Sequence, residues 1–435
     1  MPGYNIYTPE GVVDILFDEC RIKRTLEAKT REIFNMRGYM EVETPSLEFM
    51  DVFWKNGGAN APETMFKFFD KSGKILVLRP DMTECIARVT ATKMKDRPRP
   101  IKYSYVGNIF KFDESGGGKQ REFTQAGIEI VGINSPEADA EVIVTAIESA
   151  IAAGLVEFQI DIGQVDFFKG IIEETGLSVN DAEEIRLLID SKDFLGIEKI
   201  IKDCDIRDDL KKIILNLPGL FGSSEVIDKV EKITTNARSL AALENLRKVL
   251  ELVNDYGYEK YVSIDLGVVQ NLNYYTGITF RGFTYGIGFP FMSGGRYDNL
   301  IEQYGEKCPA TGFAMGINML MTALNRQKIT VPVKGIDALV CYNESVRKKA
   351  FEVVRTMQNE GLNVEIDITK ETIDQIMIYS RNKSIRFIAH LKEDDKVDLY
   401  NLDEGIQAEA DISKLSELLK AEKEMGMEKE TEDSK

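Results

Sequence analysis

Strand-like runs on both sides of a long helical stretch constrain the fold of this chain most strongly. Two such runs, residues 103–112 and 123–131, flank the turn-rich string DESGGGKQ and predict an antiparallel hairpin. Residues 164–258 then have a mostly helical pattern, and strand-like runs return over residues 261–291. An antiparallel sheet that is flanked by helices and interrupted by a helical insertion accounts for this order. The predicted fold class is therefore α+β.

Segments outside the predicted sheet divide the chain into two domains. Residues 19–37 have helical spacing that stops at Gly38, residues 39–44 alternate like a strand, and residues 315–324 predict a buried helix. Near the C-terminus, strands and helices alternate as in a small α/β domain. The predicted parts are a core domain at residues 1–325 with an insertion at about 165–258, a linker at 326–335, a small α/β domain at 336–420 and a frayed, charged tail at 421–435.

Composition and charge exclude several classes of protein. The 435-residue chain has no apolar run long enough to cross a bilayer, and its first 30 residues lack the basic and apolar regions of an export signal. A formal net charge of -17 disfavours nucleic-acid binding, because phosphate-binding surfaces need clustered lysine and arginine. We therefore expect neither membrane insertion nor casual contact with nucleic acid.

Cysteine and histidine usage gives no sign of a metal site. The five cysteines are scattered and form no C-x-x-C pair, so neither a disulfide framework nor a zinc site is predicted, and a reducing, cytoplasmic location follows. His390 is the only histidine, and with no second ligand nearby it is interpreted as a structural or surface residue. No metal and no cofactor are predicted.

Five short motifs follow one another in an order that resembles a known enzyme class. They are RPDMT at residues 79–83, FKFDESGGGKQREFTQAGIE from Phe110, NLNYYTG from Asn271, SGGRYD from Ser293 and GFAMGINML from Gly312. This series resembles the core of the class II aminoacyl-tRNA synthetases, and specifically the histidyl enzyme, over about residues 8–324. The resemblance implies the antiparallel sheet of that class, and more faintly an anticodon-binding-like C-terminal domain.

Three departures from the resembled enzyme fall on arginines that bind phosphate. The family has these arginines in its second motif, its histidine-specific segment and its third motif, where this chain has Lys111, Gln270 and Met319. A guanidinium binds phosphate in two places and stays charged, whereas lysine lacks the fork, glutamine is neutral and methionine offers phosphate nothing. Losing one preorganised stabiliser costs about 10²–10³ in rate, so we expect little synthetase activity from a cleft without forked cations. Asn273, where the family has aspartate, fits the same interpretation.

By the same motif matching, the amino-acid pocket of the resembled enzyme is largely retained. In that enzyme one set of polar groups binds the α-ammonium of histidine, and a carboxylate and a tyrosine hydroxyl bind the two imidazole nitrogens. The residues implied to bind histidine here are Asp81, Thr83, Gln125, Glu129, Tyr275 and Tyr297. An alternative stays open, in which these residues only satisfy one another in a relict cleft. Asp81 is shorter than the family's glutamate, and Gln270 replaces an arginine near the ligand carboxylate.

A synthetase-like fold with this combination of losses and retained residues resembles the regulatory subunits of ATP phosphoribosyltransferase. That resemblance implies a short-form catalytic subunit as partner, with a homodimer formed near residues 19–45 inside a hetero-octamer. It also implies a requirement for the chain in the first step of L-histidine biosynthesis, with L-histidine as a candidate effector. No tRNA partner is expected, because residues 335–435 carry 15 basic against 23 acidic side chains.

Two other functions stay open on the sequence alone. An active histidyl-tRNA synthetase with unusual phosphate contacts would catalyse histidine-dependent exchange between ATP and pyrophosphate. A synthetase-like paralogue would instead bind RNA, or a different amino acid, as a sensor.

Overall fold

The computed structural model describes residues 6–54, 62–112, 120–202, 204, 206–268 and 274–422. Two compact units make up the chain, Met1–Val331 and Pro332–Lys435, and each has its own hydrophobic core. Residues 113–119 of the predicted hairpin loop and residues 423–435 of the predicted tail lie outside the described residues.

The first unit contains the following helices and strands, in chain order. They are α1 (Phe17–Met36), β1 (Met40–Glu41), β2 (Leu47–Phe49), β3 (Lys67–Phe69), β4 (Ile75–Leu78), α2 (Thr83–Thr92), β5 (Ile101–Phe110), β6 (Glu122–Val131), α3 (Pro136–Ala153), β7 (Phe158–Gln164), α4 (Val165–Thr175), α5 (Val179–Asp190), α6 (Phe194–Lys202), α7 (Asp208–Asn216), β8 (Phe221–Gly222), α8 (Glu225–Glu231), α9 (Ala237–Asp255), β9 (Val262–Asp265), β10 (Ile278–Thr284), β11 (Met292–Arg296), β12 (Ala310–Gly316) and α10 (Ile317–Arg326).

A large mixed sheet is the centre of the first unit. Among the described residues it has nine strands in the order β1-β5-β6-β12-β11-β10-β7-β9-β8, and the six strands from β5 to β7 in that order pair antiparallel with one another. β5 and β6 form the predicted hairpin, paired from Ile101 with Val131 to Phe110 with Glu122. Only β1 with β5 and β7 with β9 are parallel pairs among the described strands of this sheet. The α+β fold class is confirmed.

Helix α3 covers one face of this sheet and is buried along most of its length. Its start is fixed by Ser135, whose hydroxyl accepts a hydrogen bond from the Ala138 N–H at 3.3 Å, and by Pro136 at the first helical position. Its end is fixed by Gly154 in the left-handed conformation. Apolar residues of α3 share a core with Ile128 and Ile130 of β6. Because side chains alternate along a strand, the residue between those two isoleucines must face the other side of the sheet.

The insertion between β7 and β9 is built largely from helices, α4 to α9. It also contributes β8, a two-residue strand that joins the edge of the large sheet beside β9. The apolar faces of these helices belong to the same core cluster as α3, with Ile185, Ile197 and Leu243 all fully buried. The insertion is therefore packed onto the sheet domain as part of one core.

Two predicted elements have different bounds in the structure. The strand expected at residues 39–44 is only Met40–Glu41. Val42 makes one further hydrogen bond, from its N–H to the Ser104 carbonyl, and the chain then turns away toward Pro45. The helix expected at residues 315–324 begins two residues later, because Met315 and Gly316 still pair with β6 as part of β12. α10 then extends to Arg326.

The second unit is a smaller α/β structure with five described strands. Its elements are β13 (Ala338–Tyr342), α11 (Arg347–Asn359), β14 (Val364–Ile366), α12 (Ile373–Asn382), β15 (Phe387–Leu391), β16 (Lys396–Asn401) and β17 (Ile406–Asp411). The sheet order is β14-β13-β15-β16-β17, in which the first three strands are parallel and the last two pair antiparallel. Within the described ranges, no helix of either unit is both long and apolar enough to span a membrane.

Candidate functional site

A cavity of about 330 Å³ lies on the face of the large sheet opposite α3. Its walls come from the start of α2, from β6, β10, β11 and β12, and from α5 of the insertion. All six residues predicted to bind histidine line it: Asp81, Thr83, Gln125, Glu129, Tyr275 and Tyr297. The structure therefore brings these residues together around one space, although their sequence positions span about half of the chain.

The floor of the cavity is a row of residues across four neighbouring strands. Glu129 of β6 pairs with Gly312 of β12, which pairs with Gly295 of β11, which in turn pairs with Thr279 of β10. A Cβ on Gly312 would lie 1.7 Å from the Glu129 Oε2 atom. Glycine is therefore required at this position, because the carboxylate of Glu129 occupies the space above it.

The Glu129 carboxyl is the most heavily hydrogen-bonded group described in the cavity. Its Oε1 atom accepts hydrogen bonds from Thr83 Oγ1 at 3.0 Å and Tyr105 Oη at 3.2 Å, and its Oε2 atom accepts from Tyr297 Oη. Burial raises the pKa of Glu129 to about 8, and the nearby Asp81 carboxylate adds to that rise, while the three hydroxyl donors oppose it. Glu129 can therefore hold or release a proton near neutral pH, which lets it serve as donor or acceptor to an imidazole nitrogen.

Asp81 and Gln125 form a second polar cluster at the start of α2. The Asp81 Oδ1 atom accepts from the Thr83 N–H at 2.7 Å, and Gln125 Nε2 donates to Asp81 Oδ2 at 3.4 Å. The Gln125 Oε1 atom is buried and has no hydrogen-bond partner within the part of the chain that the structure describes. A carboxylate beside an amide oxygen that still needs a donor is an arrangement suited to a ligand ammonium group.

Aromatic rings close one side of the cavity. Tyr274 stacks on Tyr297 with ring centroids 5.6 Å apart, and it meets Tyr275 edge to face at 4.8 Å. Burial raises the pKa of Tyr275 and of Tyr297, so both phenols keep their protons at neutral pH. Sequence reasoning did not assign Tyr274 to the site, although its place beside Tyr275 in the NLNYYTG motif could have suggested it.

The positions that replace the family's arginines lie in different surroundings. Lys111 follows β5 and lines the cavity. Met319 lies in the first turn of α10, packed against the main core, and is not among the described residues that line the cavity. Gln270 and Asn273 lie outside the described residues.

The structure adds three charged residues that the sequence analysis did not assign to the site. Glu84 of α2, Arg186 of α5 and Arg281 of β10 all line the cavity. The expectation of a cleft without forked cations is therefore wrong for the cavity as a whole, because two guanidinium groups come from outside the resembled motifs. Alternation along β10 could have placed Arg281 on the face of Thr279, whereas no sequence signal connects Arg186 with the sheet.

The lone histidine is not among the described residues that line this cavity. His390 is in β15 of the second unit and lines a separate cavity with Cys341 and Asp367. Across the described ranges of the chain, no group of three or more histidine, cysteine, aspartate or glutamate side chains is arranged to bind a metal ion.

Comparison of the sequence with protein families gives a match over most of the first unit. The family model described as histidyl-tRNA synthetase matches residues 11–320. A curated protein from Acetivibrio thermocellus, named ATP phosphoribosyltransferase regulatory subunit, is 56% identical over 423 residues, covering 97% of this chain and 100% of the relative. A protein of the same name from Ruminiclostridium cellulolyticum is 49% identical over 415 residues, covering 95% and 99%.

Solved structures with the same fold carry related names. A Bacillus halodurans protein described as an ATP phosphoribosyltransferase regulatory subunit/histidyl-tRNA synthetase is 30% identical, with a TM-score of 0.79 over 89% of this chain and 98% of that one. A histidyl-tRNA synthetase from Nostoc has a TM-score of 0.84 over 97% of this chain and 100% of its own, at 24% identity. At that identity the second likeness concerns the fold alone.

Proposed function

This chain belongs to the family of ATP phosphoribosyltransferase regulatory subunits, which share the histidyl-tRNA synthetase fold, and we propose that it binds L-histidine in its cleft and relays feedback inhibition to a short-form catalytic subunit. As a regulatory subunit it serves the first step of histidine biosynthesis without a catalytic activity of its own. Its partner is the catalytic subunit that the family name implies. The histidine effector, the assembly and a cytoplasmic location are parts of the proposal.

The arrangement of polar groups in the cavity supports histidine as the ligand. The cavity pairs a carboxyl that can exchange a proton near neutral pH, Glu129, with a carboxylate and an incompletely hydrogen-bonded amide, Asp81 and Gln125. Histidine offers an imidazole to the first group and an ammonium to the second. A ligand that lacks either end would leave a buried polar group without a partner, which costs binding free energy.

The charges of the cavity argue against adenylate chemistry. Lys111 keeps a positive charge but cannot form the planar two-point contact of a guanidinium with phosphate. Each guanidinium in the wall already has a carboxylate partner, Glu183 for Arg186 and Asp190 for Arg281. Both guanidiniums therefore already balance a protein carboxylate, so they would bind a single ligand carboxylate more readily than a triphosphate, which supports binding without activation.

Support for the proposed homodimer comes from exposed apolar residues near residues 19–45. Phe17 and Met36 at the two ends of α1 are 82% and 70% exposed, and Met40 of β1 is half exposed. Exposed large apolar side chains are typical of protein interfaces. That two such dimers join catalytic subunits in a hetero-octamer is also part of the proposal.

The partnership is tested by adding the purified chain to a short-form ATP phosphoribosyltransferase and measuring the formation of phosphoribosyl-ATP. We expect the rate to depend on the chain and to fall when L-histidine is added. No change in either the rate or the histidine sensitivity would contradict the proposal. Histidine-dependent exchange of pyrophosphate into ATP by the chain alone would instead support an active synthetase.

Histidine binding is tested by calorimetry on the chain and on its Glu129→Gln variant. We expect the variant to bind L-histidine about 10–100-fold more weakly, because an amide cannot exchange a proton with the imidazole and strands one of its polar atoms. Glu409→Gln, an exposed change in the second unit, is the matched control. Equal affinity in wild type and Glu129→Gln would place histidine elsewhere.

A further inference from the structure

We propose that Arg281 of β10, together with Arg186 of α5, binds the carboxylate of the amino acid in the cavity. This inference rests on the proposed function, because it assumes that histidine occupies the cleft. The two arginines would bind the ligand carboxylate in a chain that has Gln270 where the resembled enzyme has an arginine. They come from a different strand and from the helical insertion.

Sheet register places Arg281 beside the floor of the cavity. Arg281 pairs with Ser293 of β11, and two residues earlier Thr279 pairs with Gly295 in the row that ends at Glu129. Residues two apart along a strand face the same side of the sheet, so Arg281 projects from the next row on the cavity side. Ser293 and Gly295 both line the cavity, as does Arg281 itself.

Arg281 can bind a ligand without losing its present partner. Its Nη1 atom lies 2.7 Å from Asp190 Oδ1, and the two side chains are 25% and 34% exposed. A guanidinium has five N–H donors, and a single ion pair of this kind leaves others for a second carboxylate. Burial raises the pKa of Tyr275 while the Arg281 charge opposes that rise, so Arg281 lies close to a residue predicted to contact histidine.

Arg186 approaches the same cavity from α5. Its Nη2 atom lies 2.8 Å from Glu183 Oε1 on the same helix, and that glutamate is 45% exposed. The Arg186 side chain itself is only 10% exposed, so its guanidinium is held at the cavity wall, where its remaining N–H donors can meet a ligand carboxylate. The same helix ends with Asp190, the partner of Arg281. Both arginines are therefore connected to α5, and carboxylate binding would draw on this helix.

Lys111 is the competing cation, and its surroundings differ. Burial raises the pKa of Glu84, as does the neighbouring Asp81 carboxylate, whereas the Lys111 ammonium opposes the rise. Lys111 therefore lies near the acidic cluster that we assign to the ligand ammonium. A ligand carboxylate placed there would meet the Asp81 carboxylate and the buried Glu84 carboxyl, which favours the arginine side of the cavity for the ligand carboxylate.

The experiment compares L-histidine with histamine, which has the same imidazole and ammonium but no carboxylate. Calorimetry on the full chain should give wild type an affinity for L-histidine that is about 10-fold or more above that for histamine, since a charge-assisted contact is lost. In Arg281→Gln this ratio should fall toward one while histamine affinity stays at its wild-type value. Arg186→Gln should lower the ratio partly, and Arg281→Lys should retain part of it.

Arg247→Gln, in a helix of the insertion and outside the cavity, is the matched control and should keep the wild-type ratio. Unchanged ratios in both Arg281→Gln and Arg186→Gln would overturn the inference and leave the proposed function standing. A ratio that collapses in Lys111→Gln instead would also overturn it, by placing the carboxylate on the other side. Binding of neither compound by wild type would contradict the proposed function itself.

Discussion

Arg296 and Tyr297 are adjacent in the SGGRYD motif and serve opposite faces of the sheet. Arg296 Nε donates to Asp139 Oδ2 of α3 at 3.1 Å, whereas Tyr297 Oη donates to Glu129 in the cavity. The resemblance predicted a pocket role for Tyr297. It could not show the partner of Arg296, because Asp139 is 157 positions away and only the fold brings the two together. Contacts between residues this far apart in the sequence are the part of the site that could not be predicted from the sequence.

A methyl group on the cavity floor is the most direct test of the site geometry. Gly312→Ala should displace the Glu129 carboxylate, because the new Cβ would lie 1.7 Å from its Oε2 atom. We expect a loss of about 1–3 kcal/mol in unfolding free energy from overpacking, together with loss of histidine binding. Urea denaturation and calorimetry measure the two effects. Gly288→Ala is the control, because a Cβ there meets no atom within 4 Å. Equal effects of the two changes would show that Gly312→Ala does not act by displacing the Glu129 carboxylate.

Glu129 should make the stability of the protein depend on pH. Its pKa is raised by burial from 4.5 to about 8, so the folded state binds this proton more tightly than the unfolded state does. The resulting stability is complete below pH 4.5 and is lost as the pH rises through 8. Wild type should therefore lose unfolding free energy relative to Glu129→Gln over that interval, by at most about 1.4 kcal/mol for each pKa unit. Parallel pH profiles from denaturant titrations would count against the raised pKa.

At the scale of elements, the buried ion pair between α3 and β11 connects the helical layer to the sheet. Arg296 and Asp139 are 5% and 2% exposed. Arg296→Met should cost about 3–5 kcal/mol in unfolding free energy, because it leaves the Asp139 carboxylate buried without its cation. Asp139→Leu in the same chain removes that charge and should recover much of the loss. Thermal and urea denaturation of the single and double variants measure this, and a double variant no more stable than Arg296→Met would disprove the explanation.

Elements with strong periodicity were predictable, and short or polar ones were not. The hairpin of β5 and β6 follows directly from two runs separated by a turn-rich string, and the helical insertion follows from its spacing. β16 and β17 were missed because Lys396–Asn401 and Ile406–Asp411 are short and mix polar with apolar residues, and β17 is largely exposed. Such strands are stabilised by pairing along the edge of a sheet that already exists, which no local pattern reveals.

At the scale of the whole molecule, the cavity belongs entirely to the first unit. Every described residue that lines it precedes Val331, and this unit has its own hydrophobic core. A chain that ends at Val331 should therefore bind L-histidine with the affinity of the full chain. Calorimetry on both chains, with circular dichroism to establish folding, gives the answer. A folded, shortened chain that no longer binds histidine would mean that the second unit contributes to the site.

The hydrogen bonds to Glu129 have a further consequence for how occupancy could be communicated. Hydroxyl groups of Thr83, Tyr105 and Tyr297 already fix that carboxyl, so a ligand can arrive there without rearranging the wall. A wall that does not move when the ligand binds cannot change the structure elsewhere in the protein. On the opposite side of the cavity, Asp190 at the end of α5 is joined to Arg281 by a partly exposed ion pair, which can rearrange at lower cost although α5 itself packs into the core. Under the proposed function, a bound ligand should therefore first move the side chains that lie next to the insertion.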